Sequence, residues 1–290
     1  MRIKLQIILL LVFLVSITSA SENKNLIVVY EDEGASLQAI NNIKYSLKEL
    51  VFDTYEIKGI KAIDIKEGID PRTVLFVMPG GRATPYRQKL YEENDSAGNK
   101  EIKRFVNEGG CYLGLGAGAY YAGSKVLFSQ NHPESNQRIA VEKEKLLCFF
   151  SGPVIGPVFE PFVYNSHKGA KAANIIFNSE VNEKLNVVPI YYNGGGYFDI
   201  SNNSDVKVVG YYDNTPHDPA IIKCQVGRGS VMLSGVHPEY THELINTIIL
   251  SDELENEERQ YLMNINSSIT QENCNDVLKF ILSDLLISIK

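Results

Sequence analysis

The chain alternates short apolar runs with segments in which apolar residues recur at helical spacing. The runs at 26–30, 73–78 and 111–115 are almost continuously apolar, as in parallel strands that are covered on both faces. Segments 36–51 and 99–107 place apolar residues three or four positions apart, as amphipathic helices do. Strands and helices that alternate in this way predict an α/β fold with a mostly parallel central sheet and helices on both faces.

The second half of the chain has a different pattern. Three segments are typical of strands: 187–192, 206–212 and 220–234. Gly227, Arg228 and Gly229 predict a hairpin turn within the last of them. Two helices are expected near the end, at 255–264 and 275–289. We therefore expect an antiparallel C-terminal hairpin region beside the parallel sheet.

The first twenty residues have the features of a secretory signal peptide. Arg2 and Lys4 precede an apolar run at 7–15, and small residues at 18–20 follow. Because this run is shorter than the roughly 20 residues that a membrane span needs, cleavage after Ala20 is favoured over an uncleaved anchor. We expect an exported protein, in a bacterial periplasm or extracellular space or in a eukaryotic secretory pathway, with no stable membrane span and a single domain over residues 21–290.

Composition and charge narrow the classes of partner. The 290 residues are 44% apolar and 22% charged, which suits an ordinary globular protein. The net charge is −7, and it becomes two units more negative when Arg2 and Lys4 leave with the signal. Since an acidic surface repels phosphate backbones, a nucleic-acid partner is not expected.

The four cysteines are Cys111, Cys148, Cys224 and Cys274, and none of them has the C-x-x-C spacing of a zinc ribbon or a thioredoxin-type site. Export would allow disulfides between them, but buried thiols fit the sequence equally well. We expect no metal and no cofactor.

Three segments fall beyond the carboxyl ends of predicted strands, where open α/β sheets bind their ligands. Segment 78–82, M-P-G-G-R, is a glycine turn whose backbone amides could face an oxyanion. Segment 114–118, G-L-G-A-G, has the form of a nucleophile elbow, and its glycine spacing differs from a dinucleotide fingerprint. Segment 235–239, G-V-H-P-E, supplies a histidine with a carboxylate two residues later.

These segments resemble the N-terminal domain family of biotin–protein ligases. The resemblance rests on M-P-G-G-R-A-T-P-Y at 78–86, on G-G-C-Y-L-G-L-G-A-G-A-Y-Y ending at Tyr121, and on S-G-V-H-P-E at 234–239. Shorter matches lie between them, at 156–158, 164–170 and 191–196. The resemblance implies a flavodoxin-like three-layer sandwich of the class I glutamine amidotransferase-like superfamily, whose sites use a Cys-His-Glu arrangement. The biotin- and ATP-binding part of the ligases has no counterpart here, so biotin ligation is not expected.

The resemblance assigns His237 as the base and Glu239 as the carboxylate that orients it. It places the nucleophilic cysteine at the elbow, where this chain has Gly116. Glycine has no side chain to attack a carbonyl, so covalent thioester chemistry is not expected, although glycine tolerates the strained backbone of an elbow. Cys111 lies about 16 Å away along the same predicted strand, too far to replace the missing thiol. A protein in which this cysteine had been deliberately replaced by glycine would show the same sequence as a natural Gly116.

Two functions remain open on this basis. A pseudoenzyme would retain the pocket for a small or amide-bearing ligand, bound by Gly80, Gly81, Arg82, Ala117, Asn193 and Gly194. Alternatively, His237 and Glu239 would activate water directly, which would give a non-covalent amide or ester hydrolase. Arg87 and His167 flank the matched segments and are further candidate ligand contacts, although exposed surface positions would explain them equally well.

Overall fold

The structure is a computed structural model that describes residues 24–180, 184–202, 205–215 and 218–290. The predicted signal peptide at 1–20 lies outside the described residues. Within the described ranges, none of the helices is both long enough and apolar enough to cross a membrane.

Thirteen strands and eight α-helices are found in these ranges. The strands are β1 (Leu26–Tyr30), β2 (Glu56–Ile60), β3 (Thr73–Met78), β4 (Cys111–Leu115), β5 (Lys125–Phe128), β6 (Ile139–Glu142), β7 (Pro153–Gly156), β8 (Lys171–Phe177), β9 (Val187–Tyr192), β10 (Tyr197–Phe198), β11 (Val206–Tyr212), β12 (Pro219–Val226) and β13 (Gly229–Ser234). The helices are α1 (Leu37–Leu50), α2 (Ala62–Glu67), α3 (Ala83–Arg87), α4 (Ala97–Asn107), α5 (Ala117–Tyr121), α6 (His242–Ile249), α7 (Asn256–Asn266) and α8 (Gln271–Asp284).

A nine-stranded mixed sheet forms the centre of the fold, in the order β2-β1-β3-β4-β13-β12-β11-β8-β9. The strands from β2 to β13 are parallel, and those from β13 to β9 are antiparallel. The β12–β13 hairpin pairs Val226 with Gly229, so Gly227 and Arg228 form the two-residue turn. The predicted α/β class, the parallel central strands and the antiparallel hairpin region are confirmed.

Most of the core forms two layers on opposite faces of this sheet, and a third cluster packs residues of α6, α7 and α8 around Tyr191 and Tyr240. Since successive residues of a strand point to opposite faces, Ile27 and Val29 of β1 join the layer under α1 and α8, while Val28 and Tyr30 join the other layer. That second layer contains residues of α2 to α5 and of a smaller sheet, β10-β7-β5-β6. The smaller sheet was not predicted, because its strands are only two to four residues long.

Side-chain hydrogen bonds cap the first turns of α1 and α8. Ser36 caps α1 by accepting a hydrogen bond from the Ala39 amide, so the helix agrees with its prediction to within a residue. The prediction for the last helix, 275–289, is wrong at both ends. Thr270 caps α8 by accepting from the Asn273 amide, and the helix ends at Asp284, shortly before Leu286 turns to a φ of 61°.

Candidate functional site

The turn after β13 carries the histidine and the glutamate. The Ser234 hydroxyl closes this turn by donating to the Val236 carbonyl at 2.7 Å, and the His237 amide donates to the Tyr191 carbonyl at 2.8 Å. His237 Nδ1 then lies 2.8 Å from Oε1 of Glu239, which is fully buried. The hydrogen bond fixes the ring, as an orienting carboxylate would do for a general base.

Gly116 occupies a sharp turn between β4 and α5. Its φ of 49° and ψ of −107° lie in a region that residues with side chains rarely adopt. The Gly116 amide donates to the Ser234 carbonyl at 2.9 Å, and its carbonyl accepts from the amides of Ala119 and Tyr120. This is the strand-to-helix geometry of a nucleophile elbow, with a glycine at its tip.

The His237 ring fills the space that a side chain at the elbow would need. An ideal Cβ on Gly116 would lie 2.6 Å from both Cε1 and Nε2 of the ring. A Cβ on Gly80 would lie 2.7 Å from the same Cε1. The Cε1 edge of the imidazole is therefore packed against two glycines, and it occupies part of the volume in which a nucleophile side chain would begin.

These groups border a cavity of about 830 Å³, a size typical of sites for drug-sized ligands. The structure brings together eight of the nine predicted site residues on its wall: Gly80, Gly81, Arg82, Gly116, Ala117, Asn193, Gly194 and His237. Glu239 lies behind the histidine and does not line the cavity.

Several polar groups on the cavity wall have no protein partner. Among the described residues, no hydrogen bond engages the backbone N–H of Gly81 or Ala117, and no carboxylate pairs with Arg82. Asn193 donates through Nδ2 to the Ser166 carbonyl at 2.9 Å, while its buried Oδ1 has no partner there. Gly194 differs from these residues, because its carbonyl accepts from the Tyr120 hydroxyl. The wall can thus offer a ligand backbone donors and a cation.

A family model described as Biotin-protein ligase, N terminal, matches residues 25–290. The chain belongs to this family. It is 38% identical over 221 residues to a biotin–protein ligase of Schizosaccharomyces pombe, and it spans about a third of that ligase's length (75% of this chain, 34% of the ligase). It is 34% identical over 229 residues to an uncharacterized protein of Chlamydia muridarum, with 76% of this chain and 83% of that protein covered.

Solved structures show the same fold at low sequence identity. A glutamine amidotransferase matches with a TM-score of 0.50 and 15% identity, over 83% of this chain and 98% of that one. A glutamine amidotransferase from Thermotoga maritima matches with a TM-score of 0.55 and 12% identity, over 91% and 98%. The fold of this family member is therefore a glutamine amidotransferase-like, flavodoxin-type α/β fold.

No cysteine of this family member lies where it could act as a nucleophile in the cavity. All four cysteines lie among the described residues, none of them lines the cavity, and no disulfide joins them. Cys111 is buried at the far end of β4, where its Sγ donates to the Leu285 carbonyl at 3.1 Å. Burial raises the pKa of the Cys224 and Cys274 thiols to about 12, which opposes formation of a nucleophilic thiolate.

The loop around His167 is held by residues that sequence reasoning missed. His167 lines the cavity, as Arg87 does, and its Nδ1 lies 2.8 Å from the Tyr191 hydroxyl. Glu258 of α7 accepts hydrogen bonds from the Ser166 hydroxyl at 2.5 Å and from the His167 amide at 2.7 Å. Glu258 is more than ninety positions away from this loop, and nothing in its local sequence indicates the pairing.

Proposed function

We propose that this protein is an exported, single-domain pseudoenzyme with an amidotransferase-like fold, which binds a small anionic or amide-bearing ligand. The observation that carries this proposal is the position of the His237 ring, 2.6 Å from where a Cβ of Gly116 would lie. Where a family site would hold a cysteine, this site holds a glycine and the edge of an imidazole. Covalent catalysis has no nucleophile there, while the cavity is still open to a ligand.

The unpartnered polar groups on the cavity wall support a binding role. The Arg82 guanidinium has no carboxylate partner among the described residues, and the Gly81 and Ala117 amides are unengaged there. An oxyanion or an amide oxygen would pair with such donors. The ligase activity named for the S. pombe relative is outside this proposal, because the match covers 34% of that protein.

Ligand binding can be tested by isothermal titration and thermal shift with a panel of small carboxylates and primary amides, glutamine and biotin included. We expect at least one carboxylate to bind and to raise the melting temperature, and Arg82→Gln to weaken that binding. Arg228→Gln is the matched control, because Arg228 lies in the β12–β13 turn, away from the cavity. If no probe binds, or if both variants behave alike, the proposed role of Arg82 is wrong.

The intact histidine–glutamate pair favours a second candidate, a hydrolase without a covalent intermediate. The His237 imidazole, oriented by Glu239 at 2.8 Å, could take a proton from water beside a bound amide or ester. The deciding assay measures hydrolysis of amide and ester substrates by the protein, by His237→Ala, and by His132→Ala as a histidine outside the cavity. Turnover that disappears only in His237→Ala would establish the hydrolase, and turnover absent from all three would favour the pseudoenzyme.

A further inference from the structure

One wall of the cavity is apolar and is built by the small sheet. In β5, Val126 and Phe128 are buried and line the cavity. In β6, Val141 is buried and Ile139 is half-buried, and both line the cavity on the adjacent strand. Val126 pairs with Val141 and Phe128 with Ile139, so the four side chains form a contiguous patch on one face. Lys125 and Glu142 point away from this patch and pair with each other at 3.0 Å.

Aromatic rings connect this apolar wall to the polar part of the cavity. The Phe128 ring lies 5.3 Å from the Phe162 ring and 5.6 Å from the Tyr120 ring. Phe162 packs directly on Gly194, where an added Cβ would lie 2.4 Å from the ring. The Tyr164 ring lies 5.9 Å from that of Phe128. A single bound molecule can therefore contact both parts of the cavity.

The charged groups around the cavity favour a negative head group. Of the described lining residues, Glu33 is the only acid, and its carboxylate already pairs with Lys89 Nζ at 3.3 Å. Arg82 lies beside Tyr164: burial raises the pKa of the Tyr164 hydroxyl, and the Arg82 guanidinium opposes this effect. The Arg82 guanidinium, which has no carboxylate partner among the described residues, thus borders the aromatic end of the apolar wall.

We propose that the ligand is an amphipathic acyl compound, with a carboxylate at Arg82 and an unbranched apolar chain along Val126, Phe128, Ile139 and Val141. This inference rests on the proposed function, because it specifies the ligand of that same cavity. Free glutamine fits poorly, since its ammonium group would find no unpaired carboxylate on the described wall and its polar chain would desolvate against valine and phenylalanine.

The test is a chain-length series, measured by isothermal titration with butanoate, hexanoate and octanoate. Each methylene that reaches the apolar wall is expected to tighten Kd by about fourfold. Octylammonium has the same long chain with a cationic head group, and it is expected to bind at least tenfold more weakly than octanoate. The reason is the loss of a charge-assisted hydrogen bond to Arg82, which contributes about 1.5 to 3 kcal/mol.

Two neighbouring substitutions make a matched pair for the wall. Ile139→Thr places a hydroxyl on the cavity face, whereas Ala140→Thr places the same group on the exposed face of the same strand. Ile139→Thr is expected to weaken octanoate binding by about threefold to tenfold, and Ala140→Thr to leave it unchanged. Because both variants introduce threonine into β6, a general effect on strand stability would change both.

Three results would overturn the inference. Affinity that does not change with chain length would refute the apolar site, and the proposed function would stand if butanoate or glutamine still bound. Equal binding of octylammonium and octanoate would refute the anionic head group. No binding of any probe would refute both this inference and the proposed function.

Discussion

The contact between Gly116 and His237 predicts that a side chain at position 116 destabilises the protein through the histidine. An alanine Cβ there would lie 2.6 Å from Cε1 and Nε2 of the ring, closer than Cβ atoms approach other heavy atoms in folded proteins. The ring cannot move without cost, because Glu239 holds its Nδ1 at 2.8 Å and Gly80 also packs against its Cε1. Gly116→Ala therefore has to displace the imidazole or the elbow.

The expected magnitude has two parts. Holding alanine at a φ of 49° and a ψ of −107° costs about 1 to 3 kcal/mol in backbone strain. Overpacking against the ring costs about 1 to 3 kcal/mol more. In a His237→Ala background the second part disappears, because the next nearest atom to the new Cβ is the Gly80 Cα at 3.8 Å, an ordinary contact. The two substitutions should therefore couple by about 1 to 3 kcal/mol.

Urea unfolding of the wild type, both single variants and the double variant measures this coupling. Gly109→Ala is a useful control: Gly109 also has a positive φ, of 112°, but its added Cβ would come no nearer than 3.8 Å to Arg228. Its cost should be the same with and without His237. If the free energies of unfolding of Gly116→Ala and His237→Ala add to within about 0.5 kcal/mol, the ring does not fill the elbow and the reasoning is wrong.

Three further predictions concern other parts of the chain. Because burial raises the pKa of Cys224 and Cys274 to about 12, neither thiol should react with iodoacetamide at pH 8 until urea unfolds the protein, and rapid labelling of both in the native state would contradict this. Burial lowers the pKa of His167 below 6.5, so the unfolded state binds a proton more readily and the free energy of unfolding should fall as pH drops through 6.5. His167→Gln should reduce that fall, and an identical pH profile in the variant would count against it. Expression of the full chain in a secreting host should yield a mature protein that begins at Ser21, which N-terminal sequencing would show.

The parallel half of the fold could be predicted because its strands are buried on both faces. Strands β1, β3 and β4 are continuously apolar for that reason, and their bounds agree with the predicted runs. The edge strand β2 was missed, since only one of its five residues, Ile60, is buried, and the strand includes charged side chains and a glycine. An edge strand of this kind takes its conformation from pairing with β1, which no local pattern indicates.

The candidate site could be predicted only as far as local sequence reaches. Turns that follow β3, β4 and β13 meet at one edge of the sheet, so their glycines, Arg82 and His237 lie together on the cavity wall. Contacts that depend on side-chain packing were not accessible, and the pairing of Glu258 with the loop at 166–167 is one of them. The apolar patch of β5 and β6 is another, because it exists only once those short strands pair in register.

The packing of His237 changes the expected effect of putting a cysteine at position 116. The sequence resemblance makes Gly116 a position at which a nucleophilic cysteine is expected and absent. In the structure the ring and a Cβ at position 116 exclude each other, so a cysteine there would have to push the imidazole away from Glu239. That displacement would leave a fully buried carboxylate whose other oxygen, Oε2, already has no partner among the described residues. Gly116 and the position of the His237 ring therefore depend on each other. The single substitution Gly116→Cys is expected to reduce stability without recovering a Cys-His-Glu arrangement.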